Sequence, residues 1–214
     1  MTLTLRSVPR IEWNQFCGAR VIALPGSPEY ARNHGVYLTD RKGTVRDIVY
    51  RGSEERIRAC LLEDQHVPLV SGIVFLSSET AERFLGTLAS SPLDGCTYQG
   101  LDSGAEPLEI SLFLDVLMSM CEDVTEDRFL SGASGLSDRS KSARMVLWKE
   151  LHELPLNMVY IPDGSYEYLS LCAHHHITSL IKAASQGSQG KKMAQSFVTV
   201  SKGWRTWGWG TKGW

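Results

Sequence analysis

Long apolar runs are missing from this 214-residue chain. None approaches the roughly 20 residues that cross a bilayer, so no transmembrane segment is expected. The opening MTLTLRSVPR lacks the apolar centre of a secretory signal, and its two arginines without an acid echo a transit peptide only in charge. Cysteine is scattered: Cys17, Cys60, Cys96, Cys121 and Cys172 form an odd set without a CxxC pair. That argues against a disulfide framework and fits reduced thiols in a cytoplasmic or other reducing compartment. Cys60 and Cys121 fall in apolar helical stretches, where a buried, inert thiol is expected. A large excess of either charge is missing too. With a formal net charge of −2, any nucleic-acid binding would need a local basic patch.

What is present suits a folded domain. Apolar residues make up 43% of the chain and charged ones 21%, enough for a core and too structured a balance for global disorder. ARVIAL (19–24) reads as a strand, followed by a turn-rich linker, PGSPEYARN. GVYLT and TVRDIVY flank Asp40-Arg41-Lys42-Gly43 and read as a hairpin. Ser53 caps a helix through Ile57, Cys60 and Leu61, with Glu54 and Glu55 in its first turn. VPLVSGIVFLS (67–77) reads as a buried strand, too apolar for an exposed edge, and Ser77 or Ser78 caps the helix ETAERFLGTLA. LEISLFLDVLMSMC (108–121) is apolar nearly all round and reads as a buried helix. SGASGLSDRSKS (131–142) reads as a loop, with a helix from about Ala143. NMVYIP and YEYLSLC, either side of Asp163-Gly164, read as a second hairpin. The expected class is α+β: a small mixed or antiparallel sheet built on hairpins, flanking helices, and a C-terminal extension. The expected divisions are 1–33, a strand and linker; 34–95, a ββαβα unit; 96–190, helices and a hairpin packed on it; and 191–214, a last strand (SFVTVS) and a tail.

Within 34–95, Gly35-Val36-Tyr37 opens the first strand and Tyr50-Arg51-Gly52 closes the second. Arg58, or less favourably Arg56, follows on the next helix, Glu82 on the helix after the third strand, and Pro92 near its end. This order resembles the GIY-YIG nuclease family. The resemblance implies phosphodiester hydrolysis: Mg²⁺ held by Glu82, Tyr37 and Tyr50 orienting or deprotonating water, and Arg58 on the phosphate. Such a reaction needs a metal-bound carboxylate, a water positioner and a cation for the developing charge.

A second set, DIVYRGS, VFLSSETAERF and GSYEYLSL, looks like the arginine, serine and glutamate motifs of ADP-ribosyltransferases. That resemblance implies an NAD site using Arg51, Ser78 and Glu167. In CAHHHIT, a strand would put Cys172, His174 and His176 on one face, where neighbouring imidazoles can ligate zinc; a polar surface is the plainer reading.

The tail carries Lys202, Trp204, Arg205, Trp207, Trp209, Lys212 and Trp214 without an acid. Cations grip a phosphate backbone while indoles stack on unpaired bases, so single-stranded nucleic acid is one expected ligand. A protein partner's pocket is another, and indoles folded back on their own core a third. Two classes of function therefore emerge: a metal-dependent nuclease, or a non-catalytic assembly protein docking through this tail. Nothing in the sequence fixes the oligomeric state.

Overall fold

A computed structural model supplies the coordinates; the structure describes residues 2–5, 11, 16–96, 108–132, 137–167, 177, 178 and 181. The apolar segment ARVIALPG becomes β2 (Ala19–Gly26), almost wholly buried because a strand covers each edge and packing covers each face. Its antiparallel neighbour is β5 (Val67–Leu76) and its parallel neighbour is β6 (Leu156–Tyr160). β3 (Gly35–Thr39) and β4 (Val45–Tyr50) form the expected hairpin. The sheet has five strands in the order β4-β3-β5-β2-β6. A separate antiparallel pair joins β1 (Thr2–Leu5) to β7 (Gly164–Glu167). The class is α+β, with a mixed sheet and flanking helices.

The hairpin turn is built from its own side chain. Asp40 Oδ1 accepts from the Lys42 and Thr44 amides at 2.8 and 2.9 Å, and Gly43 takes the left-handed φ of 85° that the turn requires. The Met158 amide donates to Gly43 O at 2.7 Å and Thr44 bridges Asn157. The two outer strands of the sheet are therefore tied together at that corner.

Six labelled helices flank the strands: α1 (Pro28–Ala31), α2 (Glu54–Arg58), α3 (Ser78–Thr87), the π-helical α4 (Leu112–Leu117), α5 (Glu126–Ser131) and α6 (Asp138–Leu151). Each starts at a Ser or Thr whose hydroxyl accepts the amide three residues on: Ser27, Ser53, Ser77, Ser111, Thr125 and Ser137. Such a cap contributes about 1 kcal/mol, a large share for helices this short.

Several expectations change. The linker after β2 contains α1, because Ser27-Pro28 supplies a cap and a proline at the first helical turn. The apolar stretch from 108 is helical only from Leu112, since Ser111 caps it. α6 begins at Asp138 rather than near Ala143, for the same reason at Ser137. β6 and β7 do not pair with each other. β6 enters the main sheet beside β2 and β7 joins β1, so the Asp163-Gly164 turn links two sheets. Strands from 19–26 and 156–160 thus share one sheet with 35–76.

Three apolar clusters follow from this layering. The largest holds Tyr37, Ile48, Ala19 and Val21 of the sheet against Val116, Leu117, Leu147 and Trp148 of the helices. The opposite face carries Val36, Val49, Ile57 and Leu69 under α1 and α2. A third, around Ile22, Leu24 and Ile161, has Leu5 packed on it. Among the described residues no helix is long and apolar enough to cross a membrane.

The large cluster also contains an ion pair. Arg144 donates to Asp115 Oδ1 and, at 2.6 Å through Nη2, to Phe129 O, while its guanidinium lies 4.0 Å from the Phe129 ring centroid. The other Asp115 oxygen accepts the Ser111 amide at 2.7 Å. One guanidinium therefore fastens α4, α5 and α6 together. Arg144→Leu strands a buried carboxylate and should lower the unfolding free energy by about 3–5 kcal/mol, read from urea denaturation.

Candidate functional site

Register places one row of residues across the whole sheet. Tyr50 on β4 pairs with Gly35 on β3. Val36 pairs with Leu69, which sets Gly35 beside Val70; a Cβ on Gly35 would come within 3.0 Å of Val70 Cγ2. Val70 pairs with Ala23 on β2, and Ala23 with Tyr160 on β6. Ala23 belongs to the large cluster, with Val70 and Tyr160 packed against it. Strand alternation from Ile48 turns Tyr50 to the same face.

Unusual backbone gathers at this row. Among the described residues β3 pairs with β5 only at Leu69, so beyond it β5 has a ladder on the β2 side alone, at Val70 and from Val74 to Leu76. The β2–β5 ladder shifts register between Val21 and Ala23. The bulge is satisfied from within, because Ser71 Oγ donates to Ile22 O at 2.6 Å and accepts the Ile73 amide at 3.3 Å. Gly72 follows with φ 84° and is exposed, although it lies in the middle of a central strand. Such a glycine marks a place where another molecule can approach the backbone closely. At the other end of the row Arg51 holds φ 49°, in a region a long side chain seldom occupies. Its guanidinium lies 5.2 Å from the centroid of the half-exposed Tyr50 ring, and it has no ion pair among the described residues.

Along this row the described residues hold a guanidinium without an ion pair, a half-exposed ring and a strand edge without a ladder, while the Val70 side chain fills the space that a side chain at Gly35 would take. Chemically, a cation suits a phosphate, a ring face the C–H face of a sugar, and backbone groups its hydroxyls. The sequence contained both signals. Arg51 is visible as the cation of DIVYRGS, whereas the Ser71-Gly72 break lies inside an otherwise apolar strand segment.

The residues expected to form a nuclease centre are not brought together. Tyr37 is fully buried in the large cluster, and its hydroxyl has no hydrogen-bond partner among the described residues. Burial drives its pKa far above the ordinary tyrosine range, so it cannot activate water. Arg58 lies on α2, under the opposite face, and is bound to Glu54 at 2.6 Å. Arg56 is engaged by Asp47 at 2.6 Å. Glu82 is exposed on α3, a helix that packs against α6. No group of three or more His, Cys, Asp or Glu able to hold a metal exists among the described residues. Cys172, His174, His176 and the tail residues Lys202, Trp204, Arg205, Trp207, Trp209, Lys212 and Trp214 lie outside the described residues.

Comparison with known proteins identifies the family. The model of the Fucose pyrophosphorylase domain matches residues 2–205, and the chain belongs to that family. No curated protein matches it. The match overturns the GIY-YIG resemblance and, with it, the nuclease and nucleic-acid-binding readings. The Mg²⁺ assignment to Glu82 loses the premise that motivated it. The ADP-ribosyltransferase and pure assembly-protein alternatives are set aside by the same finding.

Neutral acids buried in this core make stability pH-dependent. Burial, and then the Asp47 carboxylate, push the Cys60 thiol from 9.0 up to about 12, and burial raises Cys121 as well. Unfolded thiols ionise first, so the unfolded state binds fewer protons above pH 9 and stability falls as pH rises from there. Urea unfolding from neutral pH to about 10.5 should show that decline, and Cys60→Ala should flatten it.

Proposed function

We propose that the chain takes part in nucleotide transfer to a sugar 1-phosphate, fucose 1-phosphate by the family's name, and holds that sugar phosphate at the Tyr50–Gly35–Val70 row. The family match across nearly the whole chain carries the reaction; the exposed Arg51–Tyr50 pair and the incomplete edge of β5 support the placement. In such a reaction an oxygen of the anomeric phosphate attacks the α-phosphorus of a nucleoside triphosphate. A new P–O bond forms, the bond to the bridging oxygen breaks, and pyrophosphate leaves with the electron pair. Reversal gives the pyrophosphorolysis for which the family is named.

The residues of this chain serve the sugar-phosphate side. Arg51 grips the anomeric phosphate and spreads its charge, which holds the nucleophilic oxygen in place. The Tyr50 ring and Val70 offer apolar surface to the carbon face of a deoxy sugar. The edge of β5 at Gly72, which has no ladder partner among the described residues, meets the hydroxyls with backbone groups. No step is assigned to a metal. The free thiols Cys17, Cys60 and Cys121 support a reducing compartment.

Titration calorimetry with fucose 1-phosphate tests the assignment. Arg51→Ala should weaken binding about ten- to a hundredfold, the worth of a charge-assisted hydrogen bond of roughly 1.5–3 kcal/mol. Binding of unphosphorylated fucose should not change. Gly72→Val should weaken both, because it puts a β-branched side chain at a left-handed φ on the binding edge. Wild-type affinity in Arg51→Ala would refute the site.

A further inference from the structure

We infer that Asp47 is a positioning residue for Arg51, acting through Arg56 and Arg128; this deepens the reading of Arg51 given above and rests on it. Asp47 sits four positions before Arg51 on β4, where the hairpin register shifts so that Val45 faces Thr39 and Asp47 faces Leu38. The shift leaves Arg46 as the extra residue and turns Asp47 to the α2 side, with Val49. Its side chain is 3% exposed, while those of Arg56 and Arg128 are 52% and 43% exposed.

Both guanidiniums bond the same carboxylate oxygen, Arg56 Nη2 at 2.6 Å and Arg128 Nη2 at 2.7 Å. The second oxygen accepts the Ile48 amide at 2.8 Å. The Asp47–Arg56 bond spans the turn that carries Arg51, from the strand before it to the helix after it. Arg128 arrives from α5, which is brought to the strand edge by two backbone bonds, Glu122 N to Val45 O at 3.2 Å and Asp123 N to Arg46 O at 2.9 Å. Arg46 reinforces that edge with two bonds to Asp123, at 2.8 and 2.6 Å.

The turn itself has little slack. A Cβ on Gly52 would fall 2.4 Å from Val49 Cγ1, so the chain lies flat on the strand there. Ser53 then caps α2. With α2 fixed to β4 by Asp47, Arg51 is held at its left-handed φ with its guanidinium against the Tyr50 ring. Without the clamp, α2 can shift from β4 and Arg51 can relax to an ordinary backbone conformation. The guanidinium then leaves the phosphate position although Arg51 itself is unchanged.

A double-mutant cycle separates this from simple destabilisation. Arg56→Gln should weaken fucose 1-phosphate binding roughly tenfold, and Arg56→Lys should restore most of it. The same Arg56→Gln change should have no effect in an Arg51→Ala background. Amide hydrogen exchange at 51–53 should speed up in Arg56→Gln and in Arg128→Gln without ligand. An equal loss in both backgrounds, or unchanged exchange at 51–53, overturns the positioning role and leaves the Arg51 site standing. Wild-type affinity in Arg51→Ala alone overturns the site and the positioning role together.

Discussion

Everything distinctive in this fold depends on how long β5 keeps two partners. It is paired on both sides at Leu69 and, among the described residues, on the β2 side alone at Val70 and again from Val74 to Leu76, with the bulge at 71–73 between. A central strand with a bare edge has polar backbone groups that water or a ligand must satisfy. The register shift opposite Ile22 adds to the opening, and the Ser71 hydroxyl absorbs the bond that the shift would otherwise break. Gly72 then presents backbone where another residue would present a side chain. The opening follows from incomplete pairing among the described residues, and the surrounding sheet frames it.

Charge is used sparingly inside the molecule, and each time it joins elements distant in sequence. Asp115 with Arg144 ties α4 and α5 to α6, and Asp47 with Arg56 and Arg128 ties β4 to α2 and α5. A buried carboxylate without its cation is costly, so these contacts define a narrow set of helix positions rather than adding much net stability. Tyr37 is the contrasting case. Its phenol has no partner among the described residues and stays neutral, a packing element with a polar atom left over.

Local structure was the legible part. Ser53 and Ser77 announced helices because a hydroxyl that accepts an amide three residues on is a contact within one turn. Asp40 to Gly43 announced a hairpin because its turn is stabilised by its own residues. The second hairpin misled for the same reason in reverse. NMVYIP and YEYLSLC have the right alternation around Asp163-Gly164, but β2 and β1 compete for those strands and win. The nuclease resemblance failed on the same scale: Tyr37 and Arg58 are near in sequence and lie under opposite faces of the sheet.

The sequence by itself determined the first hairpin, the strand at 19–24, the helices that begin after Ser53 and Ser77, and that Cys60 and Cys121 would be buried. Those outcomes depend on neighbours within a few residues or on apolar content alone. Only the tertiary structure decided which strands meet, because pairing partners are selected by burial and by edges left open elsewhere. It alone set Tyr50, Gly35 and Val70 in one row, since that row is drawn from three strands whose register no local signal encodes.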